Sequence, residues 1–257
     1  MLRTRIIPVL LIKNRSLVKT INFKNPTYVG DPINAVRIFN EKEVDELCVL
    51  DIDASKNNQP PNFEFIQELT SECFMPVSYG GGINSLDDAN KLFYLGIEKV
   101  ILNSALNSSL SLISKISNKF GSQSVIVSID CKKSLFGNYS AYTHSGKNKI
   151  SDNIVSFSKK IQKLGAGEIL IQSINRDGKM SGYDLDLIKL ISSSISIPSI
   201  ACSGAFEMNS FLEAINAGAS AVSAGSFFVF YGPHKAVLIS YPNSEEILKL
   251  NETINEF

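Results

Sequence analysis

The chain has 257 residues, with 25 lysines and arginines against 25 aspartates and glutamates, so its formal net charge is zero. That balance gives no reason to expect a general attraction to nucleic acid or to an anionic membrane. The length suits one α/β barrel, although two small domains would also fit. No apolar run approaches the roughly 18 residues of a membrane span.

The first apolar run, residues 6–12, is short, contains Pro8 and lacks a small-residue cleavage site before Lys13. It therefore reads as a strand and not as a secretory leader. Further strands are predicted at 47–51, 77–79, 100–102, 125–130, 169–172, 199–202 and 221–224, with the first at 6–11. Amphipathic helical stretches separate them. Asp31-Pro32 opens one helix with proline at the first helical position, and Ser85-Leu86-Asp87-Asp88 has the form of a capping box. Ser108-Ser109-Leu110-Ser111 marks another helix start. Helix, glycine, strand recurs at Leu95-Gly96, Leu164-Gly165 and Ala217-Gly218. Eight strand–helix units predict an α/β fold with a parallel sheet, closed as a (β/α)8 TIM barrel. Cys48, Cys73, Cys131 and Cys202 show no metal-ligand spacing. They read as free thiols of a cytoplasmic protein, and no metal or other cofactor is expected.

The sequence also looks duplicated. Pro76-Val77-Ser78-Tyr79-Gly80-Gly81-Gly82 resembles Pro198-Ser199-Ile200-Ala201-Cys202-Ser203-Gly204, and the same offset matches Glu46 with Glu168, Gly96 with Gly218 and Ser104 with Ser226. The reading is one domain, 1–257, made of half-barrels of about 1–122 and 123–257. Barrel sites lie at the C-terminal ends of the strands. There, Gly204 and Gly225-Ser226 follow the last two strands, and Gly82 with Asn103-Ser104 repeats the arrangement in the first half. Asp177-Gly178 follows the sixth strand. Backbone N–H groups beside glycine and a serine hydroxyl can cradle phosphate, so a small molecule phosphorylated at both ends is expected across the mouth.

Ordered motifs then carry a resemblance: Arg5-Ile6-Ile7-Pro8, Gly30-Asp31-Pro32, Asp45-Glu46-Leu47, Gly80-Gly81-Gly82-Ile83, Ser145-Gly146-Lys147, Asn175-Arg176-Asp177-Gly178 and Ser181-Gly182-Tyr183-Asp184. Over residues 1 to about 230 the chain resembles the HisF family, the cyclase subunit of imidazole glycerol phosphate synthase. The resemblance implies a HisH-type glutaminase docked on the N-terminal face and ammonia passing through the barrel. It would meet a bis-phosphorylated ribulosyl intermediate at the C-terminal face. It implies a charged ring, Arg5, Glu46, Lys99 and Glu168, at the tunnel entrance, and a substrate-contacting Lys19. It also implies two catalytic aspartates, of which Asp130 is present and the other position holds Leu11.

A leucine neither gives nor takes a proton, and one positioned acid or base contributes about 10²–10⁴-fold. Gln172 and Asn175 depart from the family pattern too, as does the tail Phe227-Phe228-Val229-Phe230-Tyr231-Gly232-Pro233-His234. That tail resembles the WbuZ-type branch, associated with bacterial surface-polysaccharide genes. Membership there implies delivery of ammonia to a separate sugar amidotransferase that builds amidine groups. The alternatives are a true cyclase of histidine biosynthesis with altered chemistry and a non-catalytic phosphate-binding scaffold. His144 and His234 read as loop residues, His144 near the mouth.

Overall fold

Period-two alternation decides how each strand is used. In β1 (Arg5–Lys13) the even residues Ile6, Leu10 and Ile12 pack with the surrounding helices, while Ile7, Val9 and Leu11 face the opposite way into a second apolar cluster. The computed structural model describes residues 4–255, so the ends of the 1–257 domain lie outside the described residues. Around the barrel run β1, β4 (Leu47–Asp51), β5 (Val77–Gly80), β6 (Lys99–Leu102), β7 (Val125–Lys133), β10 (Glu168–Ser173), β11 (Ser199–Cys202) and β12 (Ala221–Ala224). Every neighbouring pair is parallel, and β12 closes onto β1 through Arg5↔Ala221 to Pro8↔Ala224. All eight predicted strands appear, and the fold is the expected (β/α)8 barrel.

Eight helices cover the outside: α1 (Pro32–Glu41), α2 (Phe63–Ser71), α3 (Leu86–Tyr94), α4 (Ser111–Phe120), α5 (Ile154–Lys163), α6 (Leu185–Ser192), α7 (Met208–Asn216) and α8 (Ser244–Asn255). Asp31 caps α1 by accepting from Asn34 N, and Ser85 with Asp88 forms the capping box of α3. Phe228, buried, packs with Phe211, Phe227 and Tyr241. The Tyr241 hydroxyl then donates to Ile6 O at 2.9 Å, tying the tail to the first strand. No helix among the described residues is long and apolar enough to cross a membrane.

Three hairpins were not predicted. β2 (Ser16–Ile21) and β3 (Lys24–Gly30) form an antiparallel excursion after β1, and β8 (Tyr139–Thr143) with β9 (Asn148–Ser151) forms another after β7. A short hairpin, β13 (Phe230–Tyr231) with β14 (Ala236–Val237), follows β12. The segment 13–30 reads as a loop because its turns use left-handed Asn14, Arg15, Asn22, Phe23 and Asn25 where glycine would have signalled a hairpin.

Candidate functional site

At the floor, the four charged residues of the expected entrance meet. Arg5 Nη1 donates to Glu46 Oε2 at 2.6 Å and Arg5 Nη2 to Glu168 Oε2 at 2.6 Å. Lys99 Nζ donates to the same two carboxylates, at 2.9 Å to Glu46 and 2.8 Å to Glu168. Positive and negative alternate around a closed ring. Burial pulls the Arg5 pKa down, but the carboxylates of Glu168 and Glu46 outweigh it and the net shift is upward. Burial likewise pushes Glu168 up, and Arg5 and Lys99 bring it below its ordinary value. Arg5 and Glu168 are thus each shifted toward the ionised form by their neighbours. Above the ring lie Ile7, Val9, Cys48, Ile101, Ile126, Leu170, Ile200 and Ala221. The interior is a packed apolar layer, as barrels of this size require.

At the mouth two cavities open side by side. The larger, about 900 Å³ counting the part open to solvent, is lined by Gly80, Gly81, Gly82, Asn103, Ser104, Asp130 and His144. The smaller is lined by Lys19, Gly178, Ser203, Gly204, Gly225 and Ser226. Leu11, Thr20, Gln172 and Asp177 line both, so Leu11 stands on the divide between them. The two predicted cradles therefore occupy separate, neighbouring cavities, one per half of the barrel.

Local backbone explains why these positions carry small residues. A Cβ on Gly204 would lie 2.2 Å from Gly182 O, and φ is +113°. A Cβ on Gly178 would lie 1.9 Å from Thr20 O, with φ at +69°. Side chains are excluded at both, and backbone is left facing the second cavity. Ser203 adopts a left-handed φ of +77°, and its buried hydroxyl has no hydrogen-bond partner among the described residues. Strain of this kind persists at sites where the surroundings over-determine it.

Asp177, which lines both cavities, also holds a neighbouring segment. Its carboxylate accepts from Thr20 Oγ1 at 2.8 Å and from Phe23 N at 2.9 Å, and its carbonyl accepts from Asn22 N at 3.1 Å. It straps the β2–β3 hairpin over the mouth. Burial raises its pKa against the opposing hydrogen bonds of Phe23 and Thr20 and the charge of Lys19, and Gly178 beside it lines the second cavity. Asn103 is also engaged, donating to Ser128 O at 3.1 Å and Tyr142 O at 3.3 Å.

Asp130 and Lys19 are buried, at 5% and 4% exposure. Burial pushes the Asp130 carboxyl up to about 7, with Asp177 adding and the Ser128 hydrogen bond opposing. Burial brings Lys19 down to about 8 despite the pull of Asp177, and its Nζ donates to Val9 O at 2.7 Å. Neither makes an ion pair among the described residues. One network escaped sequence reasoning. Gln172 Nε2 donates to Ser128 Oγ at 3.1 Å, and Ser128 Oγ donates to Asp130 Oδ1 at 3.1 Å. Period two from the apolar Ile126 and Leu170 was the signal that both side chains face inward.

The closed parallel barrel, with its polar groups gathered where strands run into helices, defines the class: a (β/α)8 barrel whose site lies at the C-terminal mouth. The chain belongs to the family described as histidine biosynthesis protein, whose profile matches residues 5–234, and within it to the HisF group. It is 51% identical over 248 residues to a Pseudomonas aeruginosa protein provisionally named imidazole glycerol phosphate synthase subunit hisF2, covering 96% of this chain and 99% of that one. A Leptospira borgpetersenii protein, provisionally named the HisF subunit, is 48% identical over 96% of this chain and 98% of its own. The imidazole glycerol phosphate synthase subunit HisF of Hyphomonas neptunium is 41% identical over 90% of this chain and 91% of its own.

Proposed function

We propose that this barrel receives ammonia from a HisH-type glutaminase docked at the floor and passes it to the mouth without cyclising a ribulosyl substrate. The ammonia then serves a separate sugar amidotransferase in the amidination of a surface-polysaccharide sugar. The observation that carries this reading is Leu11. It lines both mouth cavities, and of the two aspartates that the family's chemistry would need, the larger cavity holds Asp130. The floor supports the first half of the reading. Its charges cancel in a closed ring, and the layer above is apolar. Neutral ammonia can cross such a layer between side-chain fluctuations, whereas ammonium carries a desolvation penalty of several kcal/mol. The half-barrels are read as a duplication within one domain, each keeping its own cradle.

A second reading, a cyclase of histidine biosynthesis, is favoured by the retention of Asp130, Lys19 and both glycine-lined cavities. Lys99→Ala tests the conducting role. We expect product formation by the amidotransferase to change when glutamine and the glutaminase supply the ammonia, and to stay the same when ammonium salts supply it. Equal loss in both assays would remove the gate from the account.

A further inference from the structure

The zero net charge of the chain is a sum over two unlike flanks. Helix α4, Ser111–Phe120, carries Lys115 and Lys119 and no acid; α5, Ile154–Lys163, carries Lys159, Lys160 and Lys163 and no acid. In fact no Asp or Glu occurs between Glu98 and Asp130, or between Asp152 and Glu168. All five lysines are exposed. Lys115 and Lys119 are four residues apart, as are Lys159 and Lys163, so each pair forms a stripe along the outer face of its helix. The two helices adjoin at the C-terminal end of α5. Ser114 Oγ of α4 donates at 2.8 Å to Leu164 O, the carbonyl just past Lys163. Lys159, Lys160 and Lys163 also line a shallow groove with Asn153 and Ser156.

Four other lysines on the outside of the barrel are each paired with an acid: Lys91 with Asp87, Lys133 with Asp186, Lys149 with Asp152 and Lys249 with Glu245. The α4–α5 lysines form no ion pair among the described residues. Half a turn round the barrel, α8 carries Glu245, Glu246 and Glu252 against a single Lys249. The molecule is therefore basic on one flank and acidic on the opposite one.

We propose that the α4–α5 flank is a docking surface for an anionic phospholipid membrane. Two features favour a lipid surface over an acidic protein. Specific protein interfaces have an apolar core, and none of the large exposed hydrophobic side chains lies on α4 or α5. The five lysines, moreover, are spread over two neighbouring helices and the groove on α5 is shallow and open, which suits a diffuse negative potential. Juxtamembrane lysines strengthen binding roughly five-fold each. Attachment by this flank leaves the barrel's floor and mouth free, so the inference stands apart from the proposed ammonia route.

The test is co-sedimentation of the full chain with vesicles of 70% phosphatidylcholine and 30% phosphatidylglycerol, at 50 mM and 500 mM salt. Binding is expected at low salt, with loss at high salt and no binding to pure phosphatidylcholine. The triple change Lys159→Glu, Lys160→Glu and Lys163→Glu should weaken it about 100-fold. A control triple of equal charge change elsewhere, Lys24→Glu, Lys42→Glu and Lys235→Glu, should weaken it far less. Circular dichroism confirms that both triples fold. Equal loss in the two triples, binding that survives 500 mM salt, no vesicle binding, or tighter patch-dependent binding to a DNA duplex would each overturn the proposal.

Discussion

At the floor of the barrel four charges of alternating sign meet within 3.4 Å of one another, whereas at the mouth Asp130 and Lys19 are buried without an opposite charge in contact. At the floor the partners of Arg5 and Glu168 shift both toward their ionised forms. The mouth holds its carboxyl and its amine near the edge of their ionised states, at about 7 and about 8. Burying charge without a partner costs free energy unless a ligand completes it. The difference sets a floor whose charges are paired within the protein against a mouth whose Asp130 and Lys19 have no charged partner among the described residues.

The largest test of that contrast removes the arginine. Arg5→Met leaves Glu46 and Glu168 sharing Lys99 alone, and should cost roughly 3 kcal/mol, read by urea denaturation. A loss below 0.5 kcal/mol would show that the ring does not hold the floor together. At the mouth, Gly178→Ala places a Cβ against Thr20 O in a left-handed backbone. It should cost roughly 2 kcal/mol and raise protease sensitivity in the β2–β3 hairpin. An unchanged cleavage pattern would show that the strap is loose.

A smaller effect follows from Asp130. Its folded pKa, about 7, lies above the ordinary unfolded value near 3.9. The folded state therefore binds the extra proton between those values. Its stabilising effect is complete below about 4 and is lost as pH rises through 7. Asp130→Asn should accordingly gain stability relative to the wild type on going from pH 5 to pH 8, on the order of 1–2 kcal/mol because water reaches the site from the mouth. A pH-independent difference would contradict the assignment. Smallest of all, Ser128→Ala removes the hydrogen bond that favours the ionised carboxylate. It should move the Asp130 titration upward in carboxyl-carbon NMR, and a downward shift would break the Gln172–Ser128–Asp130 chain.

Much of this was legible from residues alone. Short apolar runs between capped helices located all eight barrel strands, because a parallel strand buried on both faces has nowhere to place polar residues. The glycines of both cradles were legible because their offset repeats. The mouth's working details were not. The β2–β3 hairpin turns on asparagines, an arginine and a phenylalanine in place of glycine. Ser128 and Gln172 are inward-facing polar residues in otherwise apolar strands, and their partnership spans 44 residues. The left-handed Ser203 occupies a position where glycine would have announced the turn. Asp177 read as part of a phosphate loop from its place after the sixth strand, while its hydrogen bonds to the hairpin 154 and 157 residues away are set by tertiary structure. Charge segregation on α4 and α5 was written in the sequence, yet a net total conceals it until the helices are placed side by side.

The account is tested most directly by one assay: turnover of the bis-phosphorylated ribulosyl intermediate with ammonium salts, for the wild type beside Leu11→Asp. We expect the wild type to fall at least about 10²-fold below ordinary enzyme rates and the aspartate variant to recover ten-fold or more. Wild-type turnover near 1–10 per second, a typical enzyme rate of roughly that order, would contradict it.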